Sequence, residues 1–127
     1  MKEWRLLDTG CKNGYYNMAV DEAIMKATED NLIPPTIRFY QWSPPALSLG
    51  YSQQGKEVID RESCDRAGVD VVRRLTGGRT ILHDDELTYS IVLSETSEIL
   101  PQSIIKSYKI ISRGMVKGLK KLGLSVE

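Results

Sequence analysis

The chain has 127 residues, of which 41% are apolar and 27% charged, values typical of one soluble globular domain. Lysine plus arginine and aspartate plus glutamate number 17 each, so the overall charge gives no reason to expect a nucleic-acid partner. No apolar run approaches the roughly 20 residues of a membrane span, and the first residues lack the apolar stretch of a signal peptide, so no membrane association is expected.

The first third of the chain predicts a strand, a loop and a helix. Trp4–Asp8 is a short mixed apolar run, typical of a strand, and Gly10, Asn13 and Gly14 predict a loop after it. Tyr15–Glu29 then repeats its apolar residues at a spacing of three and four, which predicts a helix.

The middle of the chain alternates short strands with one weak helix. Apolar residues recur there at a period of two, or in a short continuous run rich in valine. The predicted elements are a strand over Thr36–Trp42, a strand with Leu47, Leu49 and Tyr51 on one face, a helix over Glu57–Ala67 closed by Gly68, and a strand over Val69–Val72.

The last third predicts a loop over Arg73–Gly78, strands over Thr80–Leu82 and Leu87–Leu93, and a long helix over Ser103–Leu122 that Gly123 caps. Short strands joined by tight turns predict a mixed, largely antiparallel sheet, with the two long helices packed on it. The predicted fold class is therefore α+β rather than doubly wound.

One loop combines arginine and glycine in a way that suits an anion. Arg73 and Arg74 end the valine-rich strand, Gly77 and Gly78 follow, and Arg79 precedes the next strand. Glycine lets backbone N–H groups approach a ligand, and arginine offers a planar fork to a carboxylate or phosphate. The loop therefore suits an acyl carboxylate, a thioester carbonyl or a phosphate, although a plain solvated turn remains the alternative. It is neither a P-loop nor a dinucleotide fingerprint.

The remaining reactive side chains have no local signature of their own. His83 is the only histidine, and the carboxylates of residues 84–86 point in different directions on a strand or turn, so no metal site is expected. Cys11 and Cys64 have no neighbouring base or cation, and neither is predicted to be a nucleophile. Two free thiols are typical of a cytoplasmic protein.

The loop resembles a known signature. Residues Arg73–Asp84 are similar to the Arg-Arg-x-x-Gly-Gly-…-His-Asp motif of the family of lipoate–protein ligase A and the octanoyltransferases, also known as the biotin/lipoate A/B protein ligases. Four more segments match that family in the right order, which makes the resemblance specific: Asn17–Ala23, Arg38–Trp42, Leu47–Gln53 and Glu86–Ser90. The resemblance implies that residues 1–127 form the amino-terminal part of a class II synthetase-like catalytic domain.

One residue bears on the subtype. The ligases usually carry a third glycine where this chain has Arg79, so the chain is more similar to the octanoyltransferases of the Gram-positive type. This resemblance implies transfer of an octanoyl group from acyl carrier protein to a lysine of a lipoyl domain, such as the glycine cleavage H protein. The route is a thioester on an enzyme cysteine, with no cofactor expected. The ligases instead activate free lipoate with ATP and Mg²⁺.

The resemblance also implies an acyl pocket. Arg74, Gly77, Gly78 and His83 are expected to line it, and Gly50 to let the acyl chain pass close to the backbone. Asn17 and Glu22 are expected to be architectural. The full set of expected substrate-binding residues is Arg73, Arg74, Gly77, Gly78, Arg79, His83, Gly50, Leu49 and Tyr89.

This chain departs from the family at the catalytic groups. Its lysine lies in a strand with a Lys-x-x-Gly-Ser-Ala pattern, its cysteine lies in a loop upstream of that strand, and both follow the long helix. Both would therefore lie beyond Glu127. We therefore expect no catalytic residue within residues 1–127 and no activity from this chain alone. A second chain that carries the missing half of the domain is one expected partner. An ATP-dependent ligase and a non-catalytic acyl- or lipoyl-domain-binding module remain alternatives.

Overall fold

The computed structural model describes residues 3–54, 59–101 and 103–127. The chain divides into two compact units, Met1–Ser94 and Glu95–Glu127. The first unit contains β1 (Arg5–Lys12), α1 (Gly14–Glu29), β2 (Thr36–Trp42), β3 (Ala46–Leu49), α2 (Arg61–Ala67), β4 (Asp70–Arg73), β5 (Ile81–His83) and β6 (Thr88–Val92). The second contains α3 (Ile104–Lys121). The α+β class is confirmed.

The strands form two three-stranded sheets where one sheet was predicted. In the first, β2 pairs in parallel with β1 and antiparallel with β6. In the second, β3 pairs in parallel with β4 and antiparallel with β5. Both sheets are therefore mixed, as predicted, and parallel pairs are as frequent as antiparallel ones in the described part of the chain.

The hydrophobic core consists of two clusters. One joins the end of β2 to β3 and β4 through Tyr40, Trp42, Ala46 and Val72, with Met18 of α1 packed against it. The other joins the second sheet to α2 through Leu49, Cys64 and Val71. Both clusters contain residues of β3 and β4, so the second sheet lies at the centre of the packing.

Helix α1 confirms the prediction over Tyr15–Glu29 and begins one residue earlier. The side chain of Asn13 caps it by accepting the N–H of Tyr16 at 2.8 Å. The N–H of Gly14 donates to Asp70 at 2.9 Å, and a Cβ on Gly14 would lie 3.0 Å from the Val72 side chain. The absence of a side chain thus lets the first turn of α1 contact β4.

Two strand boundaries differ from the prediction by two residues or more, whereas those of β4, β5 and β6 differ by one. β1 continues to Lys12 through the predicted loop, because Gly10, with φ of +64°, forms a bulge that shifts the register between Asp8 and Cys11. β3 ends at Leu49, so Tyr51 lies beyond the strand and is exposed.

Helix α2 is shorter than the predicted Glu57–Ala67 helix, since it begins at Arg61 behind a capping Asp60. Residues 57 and 58 of that prediction lie outside the described residues. The predicted ending is confirmed, because Gly68 adopts the left-handed conformation that closes the helix.

Helix α3 confirms the long helix predicted over Ser103–Leu122. It contains no buried residue within its own unit, and its large apolar side chains at Ile104, Ile105 and Tyr108 are exposed. Its packing on a sheet stays a prediction. No helix in the described ranges is both long and apolar enough to cross a membrane.

Candidate functional site

The arginine–glycine loop, residues 74–80, crosses the carboxyl end of β3. β4 runs parallel to β3, with Arg73 opposite Leu49, and β5 runs antiparallel, with Ile81 opposite Ser48. The end of β4 and the start of β5 therefore lie on either side of the same strand end. The chain has to pass over Gly50 to connect them.

Gly50 accommodates the loop itself. A Cβ on Gly50 would collide with the carbonyl oxygen of Gly78 and lie 2.9 Å from its carbonyl carbon. The loop is further held by the N–H of Tyr51, which donates to the carbonyl of Thr76 at 2.9 Å. The backbone of the loop therefore lies directly against Gly50, and the passage of an acyl chain beside Gly50, which the resemblance implied, stays a prediction.

Arg74 ties the loop to β3. Its Nη1 donates to the carbonyl and the hydroxyl oxygen of Ser48 at 2.8 and 3.0 Å. Its Nη2 donates to the carbonyls of Gly77 and Arg79 at 2.8 and 2.6 Å. All four acceptors are uncharged, so these bonds orient the loop without neutralising the guanidinium.

The other two arginines add to this charge. Arg73 donates to the carbonyls of Gly50 and Tyr51 at 2.7 and 3.0 Å, and Arg79 is exposed. Within residues 3–54, 59–101 and 103–127, none of the three arginines of this region forms an ion pair. No described carboxylate therefore compensates the positive charge of this region.

Four carbonyls of the loop point either toward Arg74 or toward the residues that follow β3. The carbonyl of Thr76 accepts from the N–H of Tyr51, and that of Gly78 faces Gly50. The carbonyls of Gly77 and Arg79 accept from Arg74 Nη2. Because a trans peptide points its N–H opposite to its C=O, the N–H groups of residues 77–80 face away from these partners. In the described structure, the N–H groups of residues 77–79 donate to no protein acceptor. Outward N–H groups beside positive charge form a cradle for an anion or a polarised carbonyl.

His83 is buried and reaches Ser48, to which Arg74 of the loop is also bonded. Its Nε2 lies 2.7 Å from the Ser48 hydroxyl, its Nδ1 lies 2.8 Å from Glu86, and its ring stacks on Trp42 at 4.2 Å. Burial pushes the pKa of Glu86 upward, but hydrogen bonds from Thr88 and His83 outweigh it and hold that pKa below its usual value. Both ring nitrogens thus have protein partners.

An apolar groove adjoins the loop on the side of α1. It has a volume of about 340 Å³ and lies where α1 meets β4. Arg73 and Glu22 are its charged residues. The others that line it are Tyr15, Met18, Ala19, Val71, Val72 and Leu75.

Two expected pocket residues have side chains in other surroundings, although the carbonyl of Leu49 accepts the N–H of Arg74 at 2.9 Å. The Leu49 side chain packs in the core with Cys64 and Val71. Tyr89 lies in β6 of the other sheet, opposite Phe39. No group of three or more His, Cys, Asp or Glu side chains suited to a metal occurs among the described residues.

Sequence reasoning missed Ser48 and Glu86, although Ser48 is a polar residue in an otherwise apolar β3, a signal that was available. It also favoured Glu22 over Asp21. Glu22 forms a surface pair with Lys26, whereas Asp21 binds the buried Arg38 at 2.8 Å. Asn17, expected to be architectural, is fully buried and donates to carbonyls that include that of Gln41.

Comparison with known proteins agrees with the resemblance. Residues 13–127 match the family model of the lipoyl protein ligase A/B catalytic domain. The chain belongs to this family. It is 50% identical over 123 residues to the octanoyltransferase LipM of Kyrpidia tusciae, covering 97% of this chain and 45% of that protein. The chain thus spans less than half the length of this curated relative.

Solved structures agree with the fold. A lipoate-protein ligase A bound with ATP superposes with a TM-score of 0.81 at 30% identity, covering 97% of this chain and 48% of that one. A bi-partite lipoate protein ligase from Thermoplasma acidophilum, studied with its E2 lipoyl domain, has a TM-score of 0.77 at 28% identity. The match covers 100% of this chain and 48% of that chain.

Proposed function

We propose that this chain is the acyl-binding half of an octanoyltransferase that acts in protein lipoylation. The donor is octanoyl-acyl carrier protein, and the acceptor is a lysine of a lipoyl domain such as the glycine cleavage H protein. The observation that carries the proposal is the cradle of outward N–H groups beside three arginines that form no ion pair with any described residue. Identity of 50% to an octanoyltransferase LipM supports octanoate as the acyl group.

The cradle suits acyl transfer for an electrostatic reason. Attack on a thioester carbonyl places negative charge on the carbonyl oxygen, and preoriented N–H donors stabilise that charge. Gly77, Gly78 and Arg79 supply such donors, and Arg73 and Arg74 supply positive charge. The nucleophile and the catalytic lysine are proposed to come from the carboxyl-terminal half of the domain, as the family resemblance implies.

The octanoyl chain is proposed to lie in the groove between α1 and β4. Its lining is apolar apart from Arg73 and Glu22, and it adjoins the loop at Leu75. An eight-carbon chain buried there would gain about 0.8 kcal/mol per methylene. Leu49 and Tyr89 remain proposals as further apolar contacts. The free thiols of Cys11 and Cys64 support a cytoplasmic location.

The test incubates the 127-residue chain with octanoyl carrier protein and a lipoyl domain, then measures the mass of each protein. We expect no octanoyl adduct on Cys11 or Cys64 and no modified lipoyl lysine. Adding the carboxyl-terminal half of an octanoyltransferase LipM as a second chain should restore transfer without ATP. The bi-partite ligase of Thermoplasma acidophilum supports testing two chains. Transfer by the single chain would contradict the proposal that this half lacks the catalytic groups.

The second candidate is an ATP-dependent lipoate–protein ligase, which the similarity to ligase A bound with ATP favours. The same mixture is then assayed with free lipoate, ATP and Mg²⁺ in place of the octanoyl carrier protein. Strict dependence on these reagents would move the protein to the ligase class. Binding of a lipoyl domain with no modification under either condition would favour a non-catalytic module.

A further inference from the structure

We propose that Ser48, His83 and Glu86 form a relay of hydrogen bonds with one fixed direction. This relay positions Arg74 and, through it, the arginine–glycine loop. The relay runs from Arg74 Nη1 to Ser48 Oγ at 3.0 Å, on to His83 Nε2 at 2.7 Å, and from His83 Nδ1 to Glu86 at 2.8 Å. The inference deepens the proposed function, on which it rests only for the role of the loop.

The direction follows from what each group is able to donate. A guanidinium only donates, so Ser48 Oγ accepts from Arg74 and its own hydrogen is left for His83 Nε2. Nε2 therefore accepts, and the ring hydrogen of a neutral histidine lies on Nδ1, which donates to Glu86. The relay thus assigns His83 the neutral form with hydrogen on Nδ1.

The far end of the relay is set independently. An indole N–H only donates, so Trp42 Nε1 donates to Thr88 Oγ1 at 2.7 Å. The Thr88 hydroxyl then donates to Glu86 Oε1 at 2.6 Å. Glu86 Oε1 accepts from both Thr88 and His83, and despite the opposing effect of burial these bonds hold the pKa of Glu86 below its usual value, which favours the carboxylate. Both ends therefore direct their hydrogens toward Glu86.

The opposite tautomer is disfavoured by burial. With hydrogen on Nε2, His83 and Arg74 would both donate to Ser48 Oγ, and the Ser48 hydrogen would lose its acceptor. Ser48 is fully buried, so water does not replace that acceptor, and an unpaired buried polar group is unfavourable. The Nδ1 lone pair would meanwhile face the Glu86 carboxylate.

The order serine, histidine, glutamate also occurs in hydrolases, where the serine attacks substrate. Here the Ser48 side chain is fully buried and its oxygen already accepts a hydrogen bond from Arg74. A substrate carbonyl has no access to it. The relay residues are therefore positioning residues that act through Arg74.

The single histidine makes the inference directly testable. In the chain labelled with ¹⁵N-histidine, we expect one imidazole with Nδ1 protonated, Nε2 unprotonated, and an Nδ1–H proton protected from solvent exchange. Glu86→Ala should abolish that protection, and Glu86→Gln should restore it, because the amide oxygen still accepts. Asp85→Ala is the matched control, since the exposed Asp85 forms no hydrogen bond with His83 in the described structure.

A second readout follows the loop. In Ser48→Ala, amide exchange at Tyr51, which is bonded to Thr76 of the loop, should accelerate about fivefold, the equivalent of one lost hydrogen bond. Ser90→Ala removes a hydroxyl from the first sheet and should leave this exchange unchanged. Circular dichroism checks that each variant is folded.

Hydrogen on Nε2 in the wild-type chain, or an unchanged Tyr51 exchange rate in Ser48→Ala, would overturn the relay. Neither measurement needs a substrate. Failure of the relay and failure of octanoyl transfer are therefore separate results.

Discussion

The buried Arg38 and the half-buried Arg74 both organise parts of the first unit, and they differ in how their charge is compensated. Arg38 has no exposed side-chain surface and donates to the Asp21 carboxylate at 2.8 Å. It also binds the side chains of Asn17 and Thr9 at 2.8 and 2.9 Å. Arg74 is half-buried, and its acceptors among the described residues are all carbonyl or hydroxyl oxygens.

The difference separates a structural arginine from one that we propose binds the substrate. A fully buried charge is stable only with a counter-charge and complete hydrogen bonding, and Asp21 supplies that for Arg38. Arg74 keeps contact with solvent, so it needs no carboxylate. We propose that its positive charge acts on the bound substrate, while its hydrogen bonds orient the loop.

The largest expected effect tests the buried pair. Arg38→Met leaves the largely buried Asp21 without its partner, so we expect a loss of about 3–5 kcal/mol in the free energy of unfolding. Urea denaturation measures it. The control Arg66→Met removes an exposed pair with Glu62 and should change stability by less than about 1 kcal/mol. Similar losses in the two variants would mean that the Arg38 cluster is not essential to the core.

The next effect tests how tightly the arginine–glycine loop packs against Gly50. Gly50→Ala places a Cβ against the Gly78 carbonyl, so we expect a loss of about 1–3 kcal/mol. Gly77→Ala is the matched control, because a Cβ there has no heavy atom within 4 Å. Thermal unfolding compares the two variants. Equal stability of the two would show that the loop moves away from Gly50 without resistance.

Arg74 itself should matter more for activity than for folding. In the assembled two-half enzyme, Arg74→Ala should slow octanoyl transfer at least about tenfold, or about 1.4 kcal/mol. Its loss of stability should be smaller than that of Arg38→Met, because no buried carboxylate is left unpaired. Arg66→Ala, on the exposed face of α2, should transfer at the wild-type rate. Wild-type transfer by Arg74→Ala would remove Arg74 from the site.

The smallest effect is a pH dependence at Glu86. Its folded pKa is lowered below an unfolded value of about 4.3, so it stabilises the fold above that pH, and the contribution is lost as pH falls through the folded pKa. The stability difference between wild type and Glu86→Leu should therefore shrink on acidification. Urea denaturation at several pH values measures it, and a constant difference would contradict the carboxylate end of the relay.

The elements that were predictable are those whose residues carry local periodicity. α1 and α3 repeat apolar residues every three and four positions, and β2 matches its predicted bounds at Thr36 and Trp42. The segments around Arg73–Asp84 identified the family, and the family match over residues 13–127 confirms it. Boundaries at glycines were less predictable, because Gly10 continues β1 as a bulge and Gly50 ends β3.

The sequence by itself thus determined the family, the fold class and the location of an arginine–glycine loop, since each depends on residues close together in the chain. Only the tertiary structure decided the chemistry of that loop. Ser48 and His83 form a hydrogen bond although they are 35 positions apart in the chain. Arg38 pairs with Asp21 rather than Glu22 because of the face that α1 turns toward β2. The outward turn of the loop N–H groups depends on where Arg74 and Tyr51 hold its carbonyls. Strand register sets those long-range partners, and no local pattern encodes it.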